Sequence, residues 1–120
     1  MTRYLRIGVL ACALALAGCA SSPLQQAQEQ VAASSAAVTI AATSATAAHK
    51  SGLIKPGPVE TDITAGLHGA QAALDNANAQ LHAGSAGGAV FYATQIGTLL
   101  SQVWKDLSSV GVAQPAGVTP

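Results

Sequence analysis

Ile63, Leu67, Ala70, Leu74, Ala77 and Leu81 follow one another at spacings of 4, 3, 4, 3 and 4 residues. That alternation collects all six on one stripe of an α-helix and scatters them over both faces of a strand. A stripe this narrow buries itself only against the matching stripe of another helix. The chain is therefore read first as a helical bundle, and the rest of the sequence is asked where the partner helices lie.

Proline and glycine mark their ends. Ser22-Pro23 opens a first helix: serine caps it, proline fits the first helical position, and Gln25 three residues after the cap completes a capping box. Lys50 falls in the last turn, where the helix dipole favours a cation, and Gly52 is its C-terminal cap. Leu53 to Val59 (LIKPGPV) holds two prolines and cannot continue a helix. Gly57-Pro58-Val59-Glu60 restarts one, with Asp62 as a second acid near the start. Gly84 ends it, Ser85 caps the next, and Gly111 stops that one. The predicted helices span about 23–50, 59–82 and 86–110.

The partner seams are weaker. Leu24, Val31, Val38 and Ala45 recur every seven residues, with Ala27, Ala41 and Ala48 between them. In the third helix Val90, Ala93, Leu100, Val103 and Leu107 form a stripe that Ile96, Leu99 and Trp104 widen. Short connectors imply antiparallel neighbours. The expected fold is all-α, an alanine-rich antiparallel three-helix bundle over 23–110, left-handed, with helices of about 35–40 Å. The second helix is expected at its centre. The alternative is a helical hairpin with a detached first helix. Leu53 and Ile54 are expected to plug one end of the bundle or, in the other reading, to lie exposed. Residues 111–120 read as a flexible tail. Gly66 and Gly69 weaken the second helix but let a neighbour approach closely. Alanine is the best helix former and the smallest core residue, so modest stability is expected.

Ahead of the bundle lies a different kind of segment. Met1 to Arg6 carries two arginines and no acid, Ile7 to Leu16 (IGVLACALAL) is apolar, and small residues follow. This is the pattern of a secretory signal. The run is shorter than the roughly 20 residues a transmembrane helix needs, and no other stretch approaches that length without polar interruption. Leu16-Ala17-Gly18-Cys19 resembles the lipobox of bacterial lipoproteins. The resemblance implies cleavage between Gly18 and Cys19, a diacylglycerol thioether on Cys19, and acylation of the new amino group. It makes 1–18 a signal peptide and 19–22 a lipidated anchor, with the bilayer as the partner of acylated Cys19. An ordinary signal that happens to contain a cysteine is the other reading. Small residues before the cut give a peptidase access, and the thiolate is the nucleophile that thioether formation needs. Two or three acyl chains meet the condition that stable anchoring takes more than one. In enteric lipoproteins Asp after the cysteine favours inner-membrane retention; Ala20 resembles the outer-membrane default. The implied localisation is the periplasmic face of the outer membrane.

After that cut, Lys50, Lys55 and Lys105 stand against Glu29, Glu60, Asp62, Asp75 and Asp106, a net charge of −2 (three minus five). A net acidic balance argues against nucleic acid and against a polybasic grip on anionic lipid. Cys12 leaves with the signal and Cys19 is acylated, so no thiol remains for a disulfide or a metal.

Candidates for chemistry are few. His68 and His82 are fourteen residues apart on one helix, about 21 Å along its axis. His49 and His82 end successive helices and so fall at opposite ends of the bundle. No metal site is expected, and no cofactor. Serines and threonines are plentiful, but no Gly-x-Ser-x-Gly or phosphate-cradling loop is present, and GSAGG at 84–88 reads as a helix–helix turn. The sequence predicts no enzyme. Phe91, Tyr92 and Trp104 supply core bulk in one reading; in the other they form an exposed aromatic patch facing a partner or lipid.

The order of lipobox, Ala/Ser/Thr helix, SGLIKPGPVETDI connector and AALDNANAQL helix resembles small lipoproteins of tailed phages and prophages. Only Cys19 carries over as a functional residue. The resemblance implies a membrane-anchored structural or interaction module of the bacterial envelope, with an envelope or phage protein as partner. Its alternative is a superinfection-exclusion or lysis factor akin to an outer spanin. Outer spanin subunits are short, proline-rich and poor in helix, and this chain departs from that. It also ends in Pro120, without the C-terminal lysine of the peptidoglycan-linked lipoprotein.

Overall fold

The computed structural model describes residues 22–115. Among them the regular structure is α1 (Pro23–Lys50), α2 (Pro58–His82) and α3 (Ala86–Ser109), packed as an antiparallel three-helix bundle. Each helix begins where a cap was expected. The Ser22 hydroxyl accepts the Gln25 amide at 3.2 Å, the Ser85 hydroxyl accepts that of Gly88 at 3.2 Å, and Gly57 precedes Pro58 at the start of α2.

All three helices end alike. After α2, the Ser85 amide donates to Gln80 O at 2.8 Å and the Gly84 amide to Leu81 O at 3.0 Å, with Gly84 at φ 76°. This pair of bonds returns the chain through a left-handed residue that only glycine adopts without strain. Gly52 after α1 and Gly111 after α3 hold the same place. Beyond Gly111 the Val112 amide reaches Leu107 O at 3.0 Å, and its half-buried side chain packs on the core.

The direction of packing follows from residues that face one another. Gly66 lies beside Val103, Gly69 beside Leu99, and Gly88 beside Gln80, so numbers rise along α2 as they fall along α3. His49 at the end of α1 meets Glu60 at the start of α2. Buried residues run from Ala27 to Ala48, so α1 is packed along its length rather than detached. The N-terminus of α1 therefore shares one end of the bundle with the α2–α3 turn, and the 51–57 connector closes the other.

The centre of the bundle is not where the sequence reading put it. The α2–α3 interface is the most extensive and α1–α2 the least, so α3 is the shared partner. Bulk explains this: the largest fully buried side chains, Ile96, Leu100, Val103 and Leu107, all lie on α3. The α2 seam is buried at Ile63, Ala70, Leu74 and Ala77, with Ala73 beside it, while Leu67 and Leu81 are half-buried. On α1 the buried side chains are Val31, Val38 and a row of alanines, with half-buried Ile40 packed beside them. Each buried aliphatic contributes about 1.5–3 kcal/mol, so most apolar stabilisation sits in the α2–α3 pair.

Two further expectations are corrected. Val90 was placed in the α3 stripe but is exposed, and Ala89 is buried in its stead. At the α2–α3 turn Gly88 lies against the Gln80 side chain, and the face of α3 turned to the core carries Ala89, Ile96, Leu100 and Val103 rather than Val90. Leu53 and Ile54 part company: Ile54 plugs the end of the core, and Leu53 is 48% exposed. Among the described residues α1, at 28 residues, is by length and composition alone long and apolar enough to cross a membrane, although Gln, Ser and Thr interrupt it throughout. Its many alanines outweigh its serines and threonines in mean hydropathy, and Thr39 and Thr46 hydroxyls donate back to Ser35 O and Ala42 O at 3.1 and 2.9 Å.

Candidate functional site

Gly18 and Cys19, the cleavage and lipidation positions, lie outside the described residues. What the structure fixes is where they attach. Ser22 caps α1, so three residues after Cys19 the chain is already committed to the bundle, at the end that carries the α2–α3 turn.

The titratable side chains fall in separate places. His49 Nε2 is 3.6 Å from Glu60 Oε1, a contact between largely exposed groups that is an ion pair only when the imidazole is protonated. Such exposed pairs are worth about 0–1 kcal/mol. His49, Glu60 and His68 border an open groove of about 590 Å³ between α1 and α2, floored by Ile54, Ile63 and Leu67. His82 lies at the opposite end, as its place on α2 required. Among the described residues no three His, Cys, Asp or Glu side chains gather as a metal-binding group.

A second open groove, of about 750 Å³, runs between α1 and α3. Its walls are small or amide-bearing, including Gln30, Ala33, Ala37, Gly97 and Gln102, and Lys105 is its charged residue. The hydroxyls of Thr94 and Thr98 in its wall are turned to their own helix, donating to Val90 O at 3.0 Å and Thr94 O at 3.3 Å. Near the far end of α3, Asp106 Oδ1 accepts from Gln102 Nε2 at 3.3 Å. Its Oδ2 is buried without a hydrogen-bond partner among the described residues, a feature the sequence did not signal.

The two aromatic readings divide by residue. Trp104 is core, 4% exposed. Tyr92 is half-buried. Phe91 stands 59% exposed, its ring edge-on to that of Tyr92 with centroids 5.3 Å apart. The GSAGG stretch is the helix–helix turn that was expected, with Gly84 as the reversing residue and Ser85 as the cap. Comparison with protein-family models, with curated proteins and with solved structures gives no match to this chain.

Proposed function

We propose that the chain is a lipid-anchored, non-enzymatic module of the bacterial envelope, held at the outer membrane through Cys19 and acting through the surface of its helical bundle. The observation that carries this reading is Leu16-Ala17-Gly18-Cys19 directly after a charged start and a ten-residue apolar run. Two features of the folded part are in keeping with it. The bundle begins three residues after Cys19, so little chain separates the anchor from the domain. Its α1–α3 groove is walled mainly by small, uncharged side chains, a surface suited to contact with a partner.

Expression in a bacterial host with radiolabelled palmitate, followed by membrane fractionation, tests the reading. The native chain takes up label and sediments with the outer membrane. Cys19→Ser takes up none and accumulates as an unprocessed precursor. Equal labelling of both, or a soluble native chain, would rule the anchor out.

A further inference from the structure

The first two turns of α3 leave Val90 and Phe91 side by side on the surface, 36% and 59% exposed. Phe91 is not a loose side chain: Tyr92, half-buried, holds its ring edge-on at an interplanar angle of 78°. The ground around it is bare. A Cβ added to Gly87, one turn earlier, would meet nothing within 4 Å, and Ser85 and Ala86 are small. No Asp, Glu, Lys or Arg lies between Asp75 and Lys105, so the outer side of α3 is uncharged from its start to its last turns.

The position of this patch decides what faces it. Phe91 is five residues into α3, about 8 Å along the axis from the α2–α3 turn. That turn shares its end of the bundle with Ser22, which is three residues from Cys19, a reach of at most about 10 Å. A domain tethered so tightly keeps this end against the lipid surface. An aromatic pair with one half-buried and one projecting ring suits the interface between headgroups and acyl chains.

We infer that Val90 and Phe91 are a second membrane contact, inserted at the headgroup level so that the bundle leans onto the start of α3. The inference rests on the lipid-anchor reading. The anchor alone fixes distance from the bilayer; the aromatic contact fixes orientation, and with it which grooves remain open to the periplasm. The α1–α2 groove, with His49, Glu60 and His68, is the one this orientation leaves free.

The test uses lipidated protein in phosphatidylethanolamine–phosphatidylglycerol vesicles. A single thiol for an environment-sensitive fluorophore is introduced as Gly87→Cys or, at the far end of the bundle, Thr61→Cys. Quenching by lipids carrying a headgroup-level nitroxide is read after flotation. Severalfold stronger quenching at position 87 than at 61, lost when Phe91→Asp is added with helix content unchanged, is the expected result. Co-flotation with equal quenching at both positions, or with quenching indifferent to Phe91→Asp, overturns the inference and leaves the anchor standing. Failure to float removes the anchor reading, and the inference with it. Concentration-dependent shielding of position 87 without vesicles would instead assign the patch to a second copy of the chain and overturn the bilayer.

Discussion

Gly66 faces Val103 so closely that a Cβ on the glycine would lie 2.6 Å from the valine Cγ2. Val103 is fully buried, and its branched side chain is stiff at χ1, so it has nowhere to turn. The glycine is what lets α2 and α3 approach there. Gly66→Ala gains about 1 kcal/mol of helix propensity and loses about 1–3 kcal/mol to overpacking. A lower urea midpoint is expected. Gly87→Ala, into open space, should raise the midpoint instead, through a stability gain of up to about 0.5–1 kcal/mol.

Leu74 is 7% exposed, in the middle of α2 and away from either fraying end. Leu74→Ala should cost about 2–5 kcal/mol. Gln71, three residues earlier, is exposed and holds only Asp75 Oδ1 through its Nε2 at 3.2 Å. Gln71→Ala should stay within about 0.5 kcal/mol. Chemical denaturation of both variants reads the difference, and equal effects would mean that the wrong face of α2 had been buried.

The start and end of each helix were open to reading because single residues set them. Ser22, Pro58, Ser85 and the glycines at 52, 84 and 111 act locally, whatever the tertiary context. The α2 stripe was legible because its leucines and isoleucine contrast with Gln, Asn and Asp around them. What escaped was rotation and rank. On α3, Ala89, Val90, Phe91, Tyr92 and Ala93 are consecutive and all apolar or aromatic, so periodicity cannot choose a face; the bulky residues further along, Ile96, Leu100, Val103 and Leu107, pack into the core and carry Ala89 in with them. On α1 the alanines look the same on every side, so the seam showed a helix but not how lightly it is held. The anchoring reading owes nothing to packing: it stands on Cys19 and its neighbours alone.

That light hold of α1 has a measurable consequence. Its buried residues are two valines and a row of alanines, with half-buried Ile40 beside them, against the bulky aliphatics that join α2 to α3. Local opening follows the density of buried apolar contacts. Native-state hydrogen exchange should therefore show amides of α1 around Val38 exchanging severalfold faster than those around Leu74 and Leu100. Uniform protection across the three helices would mean that the alanine seam contributes as much as the leucines do.

Lipidation of Cys19 is tested most directly by the intact mass of the mature protein purified from bacterial membranes. A chain that begins at Cys19, heavier than its polypeptide by a diacylglyceryl group and an N-acyl chain, with a peptide map that places both on Cys19, is the predicted result. A chain that retains residues 1–18, or that begins elsewhere with a free Cys19 thiol, would contradict it.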